Sequence, residues 1–236
     1  MKLETKVTRE AIKHHFAYNA WKYLLLVVVS FFGWNLIYTS TAYRPPQEKR
    51  VDLYIQSATT SSEILDPFLK KLWEESVPDM ELVSSVLLQM GSAQDMYSIM
   101  QLTTYIAAQE GDIYMLGSDD FKRFASQGAF LELEDIVASG TLNVEGIDLA
   151  AGYVAVVETD SETLAPVTTS EKHLYGIPTA SLFGFMTEVS IDNRDMYLAV
   201  TVNNGNDENV IKFLDALIQA TRGEAPDFLT QQQVPQ

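Results

Sequence analysis

The chain has 236 residues, of which 47% are hydrophobic, 16 are basic and 32 are acidic. This apolar fraction is too high for a disordered chain, and the net charge of −16 argues against a nucleic-acid partner, which would require a basic surface. The absence of cysteine excludes disulfides, thiolate metal sites and a lipid-modified cysteine anchor. The length suits one domain with an appendage.

Charge divides the chain near its N-terminus. Residues 1–22 carry a net charge of +3, residues 23–43 carry no charged side chain, and residues 51–236 carry eight basic and 29 acidic side chains. Twenty-one helical residues are about 31 Å long, which matches the hydrocarbon core of a bilayer. We therefore predict a cytoplasmic leader over 1–22, a transmembrane helix over 23–43, and an acidic domain outside a cell membrane that the chain crosses once.

A cleaved signal peptide is the alternative, and it would leave the domain secreted. The strongest apolar run, Leu24–Ile37, has 14 residues, and Ser40 and Ala42 are small residues of the kind found at cleavage sites. The long leader of mixed charge and the aromatic residues near the exit favour an uncleaved anchor. His14 and His15 are expected to be solvated next to the membrane.

After a linker over 44–50, the chain alternates strands and helices. Strands are predicted over 51–55, 81–88 and 111–117, each followed by a helix, and further strands over Tyr153–Val157, Leu174–Pro178 and Met196–Val202. An Asn204-Gly205 turn then leads to a helix over Asp207–Ala220, whose inward residues are Val210, Ile211, Leu214, Leu217 and Ile218. This order predicts a three-layer α/β domain with a mostly parallel sheet over residues 51–223, followed by a flexible tail over 224–236.

Local signals set the expected boundaries and faces of the first three helices of this domain. Asp66 is the expected N-cap of the first helix, with Pro67 at its first position. The second helix, over Gln94–Gln109, is expected to bury one apolar side, formed by Met96, Ile99, Met100, Thr103, Ile106 and Ala107. Asp119 is expected to cap a short third helix that ends before Gly128.

Four short motifs occur in a characteristic order. They are Gly111-Asp-Ile; then Gly128, Phe130, Leu131, Leu133 and Asp135; then Tyr175-Gly-Ile-Pro178; and finally Tyr197–Asn203 followed by Asn206, Asn209 and Lys212-Phe-Leu. This set resembles the extracellular solute-binding proteins of ABC importers, in the type II class that includes maltose-binding protein. The resemblance covers about residues 51–135 and 174–220 and implies a periplasmic-binding-type α/β lobe.

The resemblance also implies that the chain leaves its first lobe after Asp135 and returns with the strand near Tyr197. Only the 60 residues of Ile136–Asp195 lie between these points, and they must also supply the Tyr175–Pro178 strand. Domains commonly need 50–200 residues, so we expect a single lobe with the second lobe missing.

Ligand-binding candidates lie after the first and third strands, because ligands of open α/β sheets bind beyond the carboxyl ends of the strands. The hydroxyl groups and helix terminus of these loops suit a saccharide or an anion, and tyrosines suit stacking on a sugar ring. The candidates are Ser57, Thr59, Thr60, Ser118, Asp119 and Tyr175, with Tyr153 as a second aromatic residue. Turn chemistry, helix capping and burial in strands explain the same residues without a ligand.

Catalytic and metal motifs are absent from the sequence. It contains no nucleophile elbow, HExxH, dinucleotide-binding or P-loop motif, and His173 is the one histidine after residue 15. We therefore predict no enzyme activity, no cofactor and no metal site. Glu132, Glu134 and Asp135 are expected to form a solvated edge, and Asn203–Asn209 a turn and helix N-cap rather than a calcium loop.

Two functions from different classes are compatible with this sequence. One is a membrane-tethered, non-catalytic accessory module that binds a transporter permease or a second copy of itself. The other is a genuine solute-binding component of an ABC importer, for a saccharide or a peptide. The short interval favours the first, because closure around a solute needs two lobes. An exposed apolar patch would favour docking, and a concave polar site would favour a solute.

Overall fold

The structure is a computed structural model that describes residues 9–88, 95–159, 166–201 and 205–226. The predictions for residues 1–8, for Gln94 at the start of the second helix, for residues 202–204 and for the end of the tail, 227–236, lie outside these ranges. The chain divides into two compact units, which meet in sequence at Arg44 and Pro45. Each unit is described by itself below.

The first unit is one helix, α1, which runs from Arg9 to Thr41. Its segment Lys13–Thr41 is long and apolar enough to cross a membrane, and none of its most apolar window is buried within the protein. At its end the hydroxyls of Thr39, Ser40 and Thr41 donate hydrogen bonds to carbonyls three or four residues earlier, at 2.7–3.1 Å. These hydroxyls are therefore satisfied inside the helix. Both a membrane anchor and a signal sequence fit this helix.

The second unit contains seven strands and six helices among the described residues. The strands are β1 Arg50–Gln56, β2 Leu82–Leu88, β3 Ile113–Gly117, β4 Tyr153–Thr159, β5 Pro166–Leu174, β6 Ile177–Pro178 and β7 Met196–Val200. The helices are α2 Ser62–Ser76, α3 Asp95–Ala107, α4 Ser118–Ala125, α5 Glu134–Ala138, α6 Gly184–Thr187 and α7 Asp207–Thr221.

The central sheet has five strands in the order β2-β1-β3-β7-β6. Strand β1 is parallel to β2 and β3, whereas β7 is antiparallel to both β3 and β6. Four strands therefore run in one direction and β7 opposes them, which confirms the predicted mostly parallel sheet. Strands β4 and β5 form a separate antiparallel hairpin.

Each face of the sheet is covered by a core of its own, because side chains alternate between faces along a strand. On one face, strand residues such as Leu53, Ile55 and Met115 pack with the buried sides of α2 and α7. On the other face, strand residues such as Tyr54 and Tyr114 pack with α3 and α4. The unit is therefore a three-layer α/β structure. The five predicted inward residues of α7 are all buried: Val210, Ile211, Leu214, Leu217 and Ile218.

The Gly111-Asp-Ile motif has a structural reason at the start of β3. Gly111 has a φ of +82°, and a Cβ at this position would lie 2.5 Å from the ring of Tyr54. The buried Asp112 carboxylate accepts a hydrogen bond from the backbone N–H of Asp52 at 2.6 Å. The motif thus joins β3 to β1 without reference to any ligand.

Two of the expected helix starts are wrong. Helix α2 begins at Ser62, four residues before the expected Asp66 cap, and Pro67 lies inside it. The earlier start allows Leu65, which is 1% exposed, to reach the core, and this burial outweighs the hydrogen bond that proline cannot donate. Helix α4 begins at Ser118 with Gly117 as its N-cap, so Asp119 lies within its first turn instead of capping it.

The interval 136–195 folds as small elements around the hairpin. The predicted strand over Tyr153–Val157 is confirmed as β4, but its partner β5 was not expected from the sequence. The single strand expected over Leu174–Pro178 is wrong, because Leu174 ends β5 and β6 begins at Ile177. Between them, the N–H of Tyr175 donates to the carbonyl of Gly152 at 3.1 Å, which turns the chain from the hairpin toward the central sheet.

This turn provides a test of the packing between the hairpin and the sheet. A Cβ at Gly152 would overlap the backbone carbonyl oxygen of Gly176. We expect Gly152→Ala to lower the free energy of unfolding by at least about 2 kcal/mol, because neither backbone segment can move freely. Urea unfolding of the full chain in mild detergent, followed by near-ultraviolet circular dichroism, measures this change.

Gly223→Ala is the matched control, because the nearest atom to a Cβ at Gly223 is at an ordinary van der Waals distance of 3.7 Å. We expect this variant to stay within about 0.5 kcal/mol of the parent chain. Equal stability of the two variants would contradict the close approach of Gly152 and Gly176.

Candidate functional site

The carboxyl ends of β1 and β3 border an open depression of about 590 Å³. It is lined by Gln56, Ser57, Ala58, Thr59, Gly117, Asp192, Arg194, Asp195 and Met196. Two of the predicted ligand residues, Ser57 and Thr59, therefore face a common space at the expected edge of the sheet. Ser118 is buried directly after Gly117, and Asp119 is exposed in the first turn of α4.

Gln56 is the residue that holds this edge together, and it was not among the predicted site residues. Its side chain is 4% exposed, its amide nitrogen donates to Asp120 Oδ2 at 2.7 Å, and its amide oxygen accepts from the N–H of Gly117 at 2.9 Å. Asp120 also pairs with Arg123 at 2.8 Å. A buried amide with both ends bonded positions β1 against β3 and α4.

The hydroxyls of the first loop are bonded within the protein. Ser57 Oγ accepts hydrogen bonds from the backbone N–H groups of Thr59 and Thr60 at 3.2 and 3.4 Å. Thr59 Oγ1 donates to the carbonyl of Ser190 at 2.5 Å. This geometry is a side-chain-stabilised turn that is tied to the segment before β7. Thr60 Oγ1 is shielded from solvent and has no hydrogen-bond partner among the described residues.

The opposite wall of the depression is charged. Arg194 forms a forked contact with Asp192, with Nε at 2.8 Å and Nη2 at 2.5 Å from its two carboxylate oxygens. The hydrogen bonds from Arg194 lower the pKa of the Asp192 carboxyl. Asp195 adds a second carboxylate, and its carbonyl accepts from the N–H of Ser118 at 3.1 Å. These groups can hydrogen-bond a polar solute at a solvent-exposed surface.

The structure does not bring Tyr175 to this depression. Its side chain is 3% exposed in the core beside α4, and its hydroxyl donates to Glu132 Oε1 at 3.1 Å. Burial, followed by the hydrogen bond to Glu132, raises the pKa of Tyr175 to about 12. The ring is already packed and therefore offers no free face for a sugar.

Tyr175 lies instead beside a cluster of Glu132, Glu134 and His173. Their ligating atoms all lie within 4.8 Å of one another, and His173 Nδ1 is 3.4 Å from Glu134 Oε1 and 3.9 Å from Glu132 Oε2. Glu134 Oε1 also accepts a hydrogen bond from the N–H of Leu174 at 2.6 Å. The expectation of a wholly solvated edge is wrong for Glu134, which is partly buried and bonded to β5.

The first half of α3 presents an exposed apolar surface, here called the α3 surface. Its residues are Met96, Tyr97, Ile99 and Met100, which are 86%, 64%, 40% and 61% exposed. The expectation that this side of the helix is buried is wrong. Leu102, at 0% exposure, and Tyr105, whose ring centroid is 4.9 Å from that of Tyr54, pack the other side onto the sheet.

The position of the α3 surface follows from the strand before it. Helix α3 begins seven residues after β2 ends, so its first half starts near the carboxyl edge of the sheet. Residues 96–109 include no charged side chain, and apolar residues therefore occur on both sides of the helix. Periodicity alone cannot tell which of two apolar sides packs.

Two threonines of the first loop test whether its hydroxyls are structural. We expect Thr59→Val to lower the free energy of unfolding by about 0.5–1.5 kcal/mol, because it removes the hydrogen bond to Ser190. Thr60→Val is the matched control and should leave stability unchanged or slightly raised, because Thr60 Oγ1 is shielded and unpartnered among the described residues. Urea unfolding of the full chain measures both, and the reverse order would contradict the turn geometry.

No family model and no curated protein matches this chain. Solved structures similar to it include an extracellular solute-binding protein of family 1 from Alicyclobacillus acidocaldarius, with a TM-score of 0.39 and 17% identity over 58% of this chain. A second is an ABC substrate-binding protein from Listeria monocytogenes in complex with cycloalternan, with a TM-score of 0.33 and 18% identity over 54% of this chain. A third is the galacto-N-biose/lacto-N-biose I-binding protein of an ABC transporter from Bifidobacterium longum, with a TM-score of 0.32 and 19% identity over 55% of this chain. The chain spans 28% of the length of each. The likeness to these structures covers 54–58% of this chain.

Proposed function

We propose that this protein is a membrane-tethered, non-catalytic interaction module, anchored by α1, whose α/β unit binds the extracytoplasmic part of a membrane protein such as a transporter permease. The contact is the α3 surface. The observation that carries this proposal is the exposure of Met96, Tyr97 and Met100, each more than 60% exposed on one helix. Neighbouring large apolar side chains that are exposed together are typical of interaction sites.

The composition of the α3 surface suits a protein partner. Methionine and tyrosine are enriched in the centre of protein interfaces, where charged residues are depleted. The surface has two methionines, one tyrosine and one isoleucine, and no charged side chain follows Asp95 within α3. Methionine side chains also adapt their shape to a partner.

The net charge of the chain also favours the α3 surface as the contact with a partner. The chain has a net charge of −16, so most of its surface repels an acidic partner. The uncharged α3 surface allows close contact without placing like charges opposite each other. A tether in the same membrane as the partner would also raise the effective concentration of the pair, so that a small contact suffices.

The depression at the carboxyl edge favours a second function, the binding of a polar solute. Its forked Arg194–Asp192 pair and its open volume would accommodate a saccharide or a peptide terminus. The loop hydroxyls weigh against it, because Ser57 and Thr59 already make hydrogen bonds inside the protein. We therefore rank docking above solute binding.

The docking proposal is tested with the double variant Met96→Gln/Met100→Gln. Both side chains keep their length and helical propensity but lose their apolar character, so the fold is preserved while the interface is weakened. We expect a membrane protein that co-purifies with the parent chain from mild detergent to fall at least about tenfold in the variant. Quantitative mass spectrometry of the purified complex measures this ratio.

Ile64→Gln is the matched control, because Ile64 is 41% exposed on α2, outside the α3 surface. It should retain the partner at the parent level. Equal partner recovery from all three chains would contradict docking through α3.

A thermal-shift screen of saccharides and peptides tests the second function. A solute at 100 times its dissociation constant adds about 2.7 kcal/mol and raises the unfolding midpoint by several degrees. If such a shift occurs and Arg194→Ala abolishes it, solute binding replaces docking as the function of this unit. We expect no shift of this size from any member of the panel.

A further inference from the structure

We propose that Glu132, Glu134 and His173 form a binding site for a divalent transition-metal ion of the Zn²⁺ class. Glu132 lies just before α5, Glu134 is the first residue of α5, and His173 lies near the end of β5. These segments are 40 residues apart in sequence and come together in the fold. The site is separate from both the depression and the α3 surface.

The backbone aligns the two segments that carry the ligands. The N–H of Leu133 donates to the carbonyl of Leu174 at 2.8 Å, so residues 132–134 run beside the end of β5. On the other side, β5 is paired with β4, and His173 lies opposite Val154. The three ligand side chains are therefore mounted on paired backbone and not on a free loop.

The carboxylates are also oriented by hydrogen bonds. Glu132 Oε1 accepts from the hydroxyl of Tyr175 at 3.1 Å, and Glu134 Oε1 accepts from the N–H of Leu174 at 2.6 Å. In metal sites such outer hydrogen bonds fix the position of the ligating groups. Glu132 therefore has its second oxygen, Oε2, facing His173 Nδ1 at 3.9 Å, whereas in Glu134 the bonded oxygen Oε1 is also the one that faces His173, at 3.4 Å.

Glu134 also has one carboxylate oxygen without a hydrogen bond among the described residues. Glu134 Oε2 is shielded from solvent and accepts no hydrogen bond among the described residues. Shielding a carboxylate oxygen without a hydrogen-bond partner costs free energy, because the oxygen loses its hydration and forms no compensating interaction. A cation bound by the Glu134 carboxylate would offset this cost.

Direct hydrogen bonds between His173 and the two carboxylates do not hold the cluster together. The distances of 3.4 and 3.9 Å from His173 Nδ1 to the two carboxylates exceed the usual 2.7–3.2 Å of a hydrogen bond. Ligands of a tetrahedral zinc ion lie about 3.3–3.6 Å apart, which follows from metal–ligand distances near 2.0–2.2 Å. The separations of 3.4 and 3.9 Å are close to this range, and all three ligating atoms lie within 4.8 Å of one another.

The donor set selects the class of ion. Two carboxylate oxygens and one imidazole nitrogen suit Zn²⁺ and its neighbours, whereas Mg²⁺ and Ca²⁺ prefer oxygen ligands alone. Asp135 and Glu171 border the same surface depression and add negative charge, while Lys172 opposes it. Because three protein ligands leave a coordination position for water, the ion would join α5 to the hairpin, and its loss would loosen that junction.

The test uses the full chain in mild detergent, stripped with a chelator, in a His14→Gln/His15→Gln background that removes the other two histidines. Isothermal titration with ZnCl₂ should give one saturable site at micromolar concentration, with no comparable binding of MgCl₂ or CaCl₂.

His173→Gln and Glu134→Gln, each in this background, should weaken zinc binding at least tenfold while leaving the metal-free unfolding midpoint within about 2 °C. Lys172→Gln is the matched control on the same strand and should bind zinc as well as the background chain or better. The proposal is overturned if zinc fails to bind below 1 mM, or if it binds equally well to the His173→Gln and Glu134→Gln variants.

Discussion

The antiparallel strand β7 is the element on which the rest of the α/β unit depends. It pairs with β3 along its full length, from Ile113 opposite Val200 to Gly117 opposite Met196, and its other edge pairs with β6. The carbonyl of Val200 also accepts from the N–H of Leu131 at 2.8 Å. One buried strand thus joins the β1–β3 block to the later half of the chain, and both cores meet on it.

Both candidate sites follow from this pairing. Because β7 opposes β3, the residues before β7 reach the carboxyl edge of the sheet, where Arg194 and Asp192 face the loop after β1. Because β7 also binds Leu131 and β6, the Glu132–Glu134 segment lies beside the end of β5 and His173. The α3 surface arises elsewhere, where the helix packs only by its second half.

Sequence reasoning predicts the elements whose signals are local. The alternation in β1, the continuous apolar run in β3 and the 3.6-residue period in α7 each lead to the observed element and, for α7, to the observed buried face. It fails at α3, because this helix has no charged side chain after Asp95 and has apolar residues on two sides, so the sequence does not show which side contacts Tyr54. It also misses β5, because this strand is a polar segment without the apolar alternation that marks a strand.

In the candidate sites, too, sequence predicts the local features and misses the contacts between distant segments. The position of Ser57 and Thr59 at the carboxyl edge is predictable from strand order, but their internal hydrogen bonds depend on Ser190, more than 130 residues away. Gln56 gives one weak sequence signal, a polar residue that ends a buried strand. The convergence of Glu134 and His173 gives none, since it depends on β5 and on the short helix α5.

The most direct test of docking through α3 is site-specific photo-crosslinking in intact membranes. A benzophenone side chain replaces Tyr97, which is 64% exposed on the α3 surface, or Tyr153, which is 39% exposed on the hairpin. The account predicts a discrete crosslinked membrane protein from position 97 and none from position 153. No crosslink from position 97, or the same product from both positions, would contradict it.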